Sequence, residues 1–130
     1  MRAYAEGVCC LVAAVELLIG HRFWLSRSDF IGLFIELDAR PDGTVTAFVD
    51  WEAAATGLRQ GRLVCSDSQG QVLAIAASLA ADIPVGLRDA LGGLDAANLV
   101  LVAHAILRAG GSAGSVAVAA CAQTPGRVAR

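Results

Sequence analysis

Residues 63–79 read LVCSDSQGQVLAIAASL, a polar cluster that runs directly into an apolar segment. Ser66 and Gln69 have the spacing of a capping box, in which each side chain bonds the backbone of the other residue at the first turn of a helix. Apolar residues then recur at helical spacing over more than half of the circumference, at Val72, Leu73, Ile75, Ala76, Ala77, Leu79 and Ala80. The stretch therefore predicts a capped helix that is buried on more than one side.

Capping residues and periodicity predict the other helices on either side of this one. They are expected at residues 2–19 with Gly20 as a left-handed cap, after Ser26 with Asp29 completing a capping box, after Asp50, at residues 86–91, and at residues 96–109 after Asp95. The core-facing stripe of the first helix is predicted to be Tyr4, Val8, Leu11, Val12, Val15, Leu18 and Ile19. That of the last helix is predicted to be Leu99, Val102, Ala103 and Ile106.

Two strands are predicted between the second and third helices. The segment LFIELD at residues 33–38 looks extended, and TVTAFVDW at residues 44–51 alternates and is rich in β-branched and aromatic residues. Between them, Pro41-Asp42-Gly43 is typical of a turn. A two-stranded hairpin is marginally stable alone in water, so we expect it to pack on helices or to pair with a second copy.

These elements predict a mostly helical α+β fold, in which about four to five helices pack with one β-hairpin. A chain of 130 residues has the length of one domain, which we place at residues 1–122. Within it, residues 115–120 are compatible with a further strand. Residues 123–130 are expected to form a disordered tail.

The composition favours a protein that covers its apolar surface with a partner. Hydrophobic residues make up 56% of the chain and charged residues only 17%, which leaves too little polar material to cover a compact monomer. We therefore expect the chain to self-associate through apolar helix faces, with a homodimer as the first hypothesis, or to associate with another protein. The interface candidates are Leu73, Leu79, Leu99, Leu107 and Trp51.

Charge and hydropathy argue against nucleic-acid and membrane partners. The net charge of −2 provides no electrostatic footprint for nucleic acid. Residues 71–91 have the helix, turn and short helix of a weak helix-turn-helix pattern, which makes DNA binding the third functional hypothesis. The second helix, however, has a single basic residue, Arg88, which Asp89 follows. The apolar residues 7–20 are too few to span a bilayer and include Glu16, so no membrane span is expected.

The candidate for covalent chemistry is Cys65, just before a helix N-terminus, where the helix dipole lowers the pKa of a thiol. His21 or His104 would serve as its base and Asp67 would orient that base. The alternative is that the whole cluster caps the helix and that Cys65 is a small apolar filler, and this interpretation accounts for every residue in it. We therefore prefer a non-enzymatic function, with an enzyme that uses Cys65 and a histidine as the second hypothesis.

Metal and cofactor sites are not indicated. The four cysteines, Cys9, Cys10, Cys65 and Cys121, lack metal-ligand spacing, and adjacent cysteines do not readily pair, so a reduced cytoplasmic protein is expected. Glu36 and Asp38 would share one strand face near Asp50, which makes a carboxylate cluster with the neighbouring Glu52 geometrically possible. Solvated strand faces have the same pattern, so we predict no metal and no cofactor.

The C-terminal two-thirds of the chain resembles a known group of proteins. The run ASLAADIPVGLRDALGGLDAANLVLVAHAI at residues 77–106, together with CSDS at residues 65–68 and Asp50-Trp51, resembles a family of small uncharacterised actinobacterial proteins. The resemblance implies a bacterial origin and a cytoplasmic location and brings no known activity. The leading hypothesis is accordingly a small interaction or regulatory protein that self-associates.

Overall fold

The capped helix that the stretch at residues 63–79 predicts lies at the centre of the structure. The computed structural model describes residues 2–111, with side chains from residue 8 onward. Helix α4 (Asp67–Ala81) begins with the expected capping box: Gln69 N donates to Ser66 Oγ at 3.2 Å, and Ser66 N donates to Gln69 Oε1 at 2.8 Å. Four other helices pack around α4, which is why it is buried on more than one side.

The mostly helical α+β class is confirmed. In chain order the elements are α1 (Arg2–His21), a 3-10 turn (Trp24–Ser26), α2 (Ser28–Phe34), β1 (Ile35–Ala39), β2 (Val45–Val49), α3 (Trp51–Arg59), α4, α5 (Leu87–Gly92) and α6 (Ala96–Ala109). The described residues thus contain six α-helices, where four to five were predicted, and one antiparallel hairpin. The predicted strand at residues 115–120, the domain end at residue 122 and the tail at residues 123–130 lie outside the described residues.

Aromatic residues join the 3-10 turn and α2 to the central helix. The ring centroids of Trp24 and Phe30 lie 5.4 Å apart, and those of Phe30 and Phe34 lie 5.3 Å apart. The indole of Trp24 is fully buried and donates from Nε1 to the backbone oxygen of Gln69 at 3.0 Å. Because a buried indole N–H needs an acceptor, this bond fixes the turn on the first turn of α4.

A second polar contact links the starts of α4 and α6. Ser68 Oγ accepts from Asp95 N at 3.1 Å and from Asn98 Nδ2 at 2.8 Å. Asp95 in turn caps α6 by accepting from Asn98 N at 2.8 Å. The polar residues that follow Cys65 therefore serve in helix capping and helix docking.

The predicted hairpin forms, but its strands are shorter than predicted at the base, where Leu33 and Phe34 belong to α2 and Trp51 to α3. Gly43 has a φ of +94° in the turn, Arg40 N donates to Thr44 O at 2.7 Å, and Asp42 Oδ1 accepts from Thr44 N at 2.9 Å. At the base, Asp50 caps α3 by accepting from Ala53 N at 3.1 Å. The turn chemistry and the cap together fix where the two strands begin and end.

The predicted orientation of α1 is wrong. Of the predicted core stripe whose side chains are described, only Leu18 is fully buried, whereas Val8, Leu11, Val15 and Ile19 are exposed. The buried face consists of Ala13, Ala14, Leu17 and Leu18. Small residues allow α4 and α6 to approach closely, and a Cβ at Gly20 would lie 3.4 Å from Leu101 Cδ2. Gly20 is not the cap, because α1 continues to His21 and Arg22 has the positive φ, +71°.

Two further local predictions are corrected. On α6, Val102 and Ala105 are buried while Leu99, Ala103 and Ile106 are exposed, so the core face is rotated from the predicted stripe. At the start of α2, Ser26 does not cap the helix; its hydroxyl donates to the Arg22 and Phe23 carbonyls at 2.8 and 2.9 Å. Helix α2 begins instead after Arg27, without a side-chain cap.

None of the helices in residues 2–111 combines the length and the apolar composition needed to cross a membrane.

Candidate interaction surface

One face of the hairpin is apolar along its whole length. The strand register pairs Ile35 with Val49, Leu37 with Ala47 and Ala39 with Val45. Since alternate residues of a strand share a face, these six side chains form one surface, which we call the apolar face of the hairpin. Its base is half-buried against the core, whereas Leu37 is 71% exposed and Val45 59% exposed. The outer part of this face therefore has no cover within the described residues.

The opposite face of the hairpin is mixed in character. Glu36 lies opposite Phe48, and Asp38 lies opposite Thr46. The two carboxylates share one strand face, as predicted, but the carboxylate of Asp50 is engaged in the α3 cap. Among residues 2–111, no three His, Cys, Asp or Glu side chains come close enough together to hold a metal ion. Phe48 adds an aromatic ring to this face that is 52% exposed.

Both edges of the hairpin carry unpaired backbone groups. Asp50 N donates to Phe34 O at 2.7 Å, and Arg40 N donates to Thr44 O at 2.7 Å. These bonds identify 34/50 and 40/44 as hydrogen-bonded pairs of the two strands. In an antiparallel pair, hydrogen-bonded and non-hydrogen-bonded positions alternate, so the apolar-face residues occupy the non-hydrogen-bonded positions. Their N–H and C=O groups point outward, and the sheet formed by residues 2–111 has no third strand to receive them. Ile35 N is the exception, because it donates to Ile31 O at the end of α2.

The helices also expose apolar side chains. On α1 these are Val8, Leu11, Val15 and Ile19, which we call the outer stripe of α1; on α6 they are Leu99, Val100 and Ile106. Backbone hydrogen bonds within a helix are satisfied internally except at its ends. These faces therefore offer a partner apolar side chains alone, whereas the hairpin offers apolar side chains together with backbone donors and acceptors.

The predicted interface residues lie in different environments. Leu73 is completely buried and Trp51 is 9% exposed, so both belong to the core and their assignment to an interface is corrected. The reason is that α4 is enclosed by its neighbours and that Trp51 begins α3, which packs on α4. Leu79 and Leu107 are half-buried, and Leu99 is exposed. The predicted interface omitted Leu37, Val45 and Phe48, although apolar residues at every second position, 35, 37, 39 and 45, 47, 49, were a usable signal.

Cys65 lies in an environment that disfavours its thiolate. Burial raises the pKa of the thiol; the nearby Arg27 lowers it and Asp67 raises it. A Cβ at Gly70 would lie 3.4 Å from Cys65 Sγ, so the sulfur packs against the first turn of α4. Arg27 bonds Asp29, with Nε to Oδ1 at 2.8 Å, and Val64 O at 2.5 Å, which ties this cation to the neighbouring loop.

The two histidines lie on other elements. His104 is exposed on α6. His21 ends α1, where burial lowers its pKa and Asp95 acts in the opposite direction, and its Nδ1 is buried without a hydrogen-bond partner in the described part of the chain. Neither histidine is among the charged groups that act on Cys65. The charged groups that act on the Cys65 thiol are Arg27 and Asp67, so among the described residues no interaction with a histidine accounts for the pKa of Cys65.

A shallow groove lies at the base of the hairpin, between α2 and α3. Its volume is about 520 Å³, and its walls include Leu33, Phe34, Ala53, Glu52 and Arg62. Because the groove is open to solvent, it extends the exposed surface around the hairpin more than it forms an enclosed ligand site.

Comparison of the chain with protein-family models, with curated proteins and with solved structures finds no match. The functional inference therefore rests on the surface described above.

Proposed function

We propose that this chain is a small non-enzymatic interaction or regulatory protein that self-associates, first as a homodimer, with the hairpin as its main contact surface. The observation that carries the proposal is the apolar face of the hairpin, with Leu37 71% exposed and Val45 59% exposed. Burying a side chain of this size completely is worth about 1.5–3 kcal/mol, so covering part of this face in each of two copies favours association.

The hairpin supports the proposal better than the helix faces do. A two-stranded sheet is marginal in water, and three or more strands or a packed face are needed for stability. Only the hairpin, among the described elements, combines exposed apolar side chains with unpaired backbone groups. The outer stripe of α1 and the residues Leu99 and Leu107 of α6 are secondary contact candidates, because they would contribute apolar area alone.

The other hypotheses find less support. The raised pKa of Cys65 and the positions of His21 and His104 speak against an activated nucleophile. DNA recognition has little support, because the six-residue α5 has one basic side chain, Arg88, and the acidic Asp89 lies beside it. Among the described residues Cys9, Cys10 and Cys65 form no disulfide, which is compatible with the cytoplasmic setting that we propose for the chain. The bacterial origin that we propose rests on the resemblance of residues 77–106.

The test is the solution mass of hairpin variants by size exclusion with light scattering. Val45→Asp places a charge on the apolar face, on β2, and should convert the dimer to a monomer, because an unpaired carboxylate at an interface is costly to desolvate. Val64→Asp is the matched control: Val64 is 81% exposed, lies outside the hairpin and should leave the mass unchanged. A monomeric wild type, or a Val45→Asp dimer as stable as the wild type, would overturn the proposal.

A further inference from the structure

The two edges of the hairpin differ in how they are protected. β1 reads IELDA and carries Glu36 and Asp38, whereas β2 reads VTAFV and contains no charge, glycine or proline. Natural sheets block a free edge with charged residues, prolines or bulges, because an unprotected edge pairs with other strands. In this chain β2 presents the edge that lacks such protection.

We propose that β2 pairs antiparallel with β2 of a second copy about a two-fold axis at Ala47, an inference that rests on the proposed self-association. The outward-pointing backbone groups of β2 belong to Val45, Ala47 and Val49. In an antiparallel pairing these residues become the new hydrogen-bonded positions. The register that uses all of them places Val45 opposite the partner's Val49 and Ala47 opposite the partner's Ala47.

The side chains of β2 are complementary to themselves in this register. On the apolar face, β-branched valines meet across the seam, and the small Ala47 lies on the axis, where each residue must face its own copy. On the other face, Thr46 lies opposite the partner's Phe48 at a non-hydrogen-bonded position, where side chains approach most closely. No charged residue faces another copy across the seam, because both carboxylates stay on the outer strand β1.

The product is one four-stranded antiparallel sheet, ordered β1-β2 and then the partner's β2-β1. It removes the unprotected edge from both copies and leaves only the charged edges of β1 free, which is how natural sheets limit further growth. Pairing of this kind closes at two copies, because a two-fold contact uses the same surface on both. The inference therefore specifies a dimer and not a filament.

A matched pair of proline variants tests the edge. Ala47→Pro and Ala39→Pro each remove one outward-pointing N–H, on β2 and β1 respectively, and neither N–H bonds within the hairpin. We expect the wild type and Ala39→Pro to be dimers by light scattering and Ala47→Pro to be a monomer. A dimeric Ala47→Pro, or loss of the dimer in Ala39→Pro alone, would overturn the inference. A wild-type monomer at every concentration would instead refute the self-association itself.

A cross-linking experiment covers the case in which proline disrupts the hairpin. In a variant with Cys9, Cys10, Cys65 and Cys121 replaced by serine, Ala47→Cys is oxidised with oxidised glutathione. Residues paired at a hydrogen-bonded position have Cα atoms about 5.5 Å apart, within the range that a disulfide spans, so a covalent dimer should form. Ala39→Cys should not cross-link, since the outer strands are about three strand spacings, or ~14 Å, apart. Equal cross-linking of the two variants, or none at Ala47→Cys, would contradict the register.

Discussion

Two leucine substitutions distinguish the core from the exposed apolar face of the hairpin. Leu73 on α4 is fully buried, whereas Leu37 on β1 is 71% exposed. Leu73→Ala removes about three carbon groups from a packed core, which costs about 2.4 kcal/mol in transfer free energy and more for the cavity left behind. We therefore expect Leu73→Ala to lower the free energy of unfolding by about 2.7–5 kcal/mol.

Leu37→Ala should behave differently in the monomer. Less than a third of the Leu37 side chain is buried in the protomer, so the same deletion should cost about 0.7 kcal/mol of monomer stability. In the proposed four-stranded sheet Leu37 lies on the outer strand β1, where a second copy does not cover it, so Leu37→Ala should also change the stability of the dimer little. Leu73→Ala should change the mass of the folded protein little.

The assay is urea unfolding followed by tryptophan fluorescence, at a protein concentration low enough for the monomer to predominate. Both tryptophans, Trp24 and Trp51, are buried, so their emission reports loss of the core. If the slope of the free energy of unfolding against urea concentration is the same for the wild type and both variants, the variants differ in stability and not in the surface exposed on unfolding. Equal costs for the two leucines in the monomer, or a cost below about 1 kcal/mol for Leu73→Ala, would refute the assignment of Leu73 to the core.

Two predictions concern the titratable residues. Because burial raises the pKa of the Cys65 thiol, its alkylation by iodoacetamide near neutral pH, followed by peptide mapping, should be slower than that of free cysteine; a faster rate would favour the nucleophile. Burial lowers the pKa of His21, so the folded state favours the neutral ring. The contribution of the neutral His21 ring to the free energy of unfolding should be fully present above about pH 6.5. It should decline as the pH falls from there through the folded-state pKa. Urea unfolding at about pH 7.5 and about pH 5 should show this loss in the wild type and a smaller loss in His21→Gln; equal losses would exclude His21 as the source.

Local signals in the sequence were sufficient for the elements and most of their caps. The Ser66 capping box and the Asp50 and Asp95 caps depend on residues at most three apart, and the Pro-Asp-Gly turn is as local. These contacts form wherever the chain has the right side chains at the right spacing, so sequence reasoning finds them. Ser26 is the exception, because its hydroxyl bonds the end of α1 and not the start of α2.

The orientation of the helices required the fold. Apolar residues surround most of α1 and α6, so periodicity alone selects no unique face, and large side chains such as Val8 and Ile19 were a poor guide. The helices turn their small residues inward, Ala13 and Ala14 on α1 and Ala105 on α6, because close approach buries more neighbouring surface. Leu73 was misassigned for the related reason that only the packing shows which broad apolar helix is enclosed.

The apolar surface of the hairpin was likewise predictable from the sequence only in part. The need of the hairpin for cover and the apolar residues at alternate positions of each strand were visible in the sequence, but which of them lie opposite one another depends on the register that pairs Leu37 with Ala47. The contrast between the two edges then follows from the charges at Glu36 and Asp38. Register is a property of the turn and of the base of the hairpin together, so it became available only with the structure.

The most direct test of self-association through the hairpin is hydrogen exchange measured by mass spectrometry at several concentrations of the unmodified chain. The account predicts that peptides covering residues 44–50 exchange more slowly as concentration rises, because the outward-pointing amides of β2 gain acceptors in the partner. Peptides from α1 should show little change. Protection that rises along the outer stripe of α1 while β2 stays unchanged, or exchange that is independent of concentration throughout, would contradict the account.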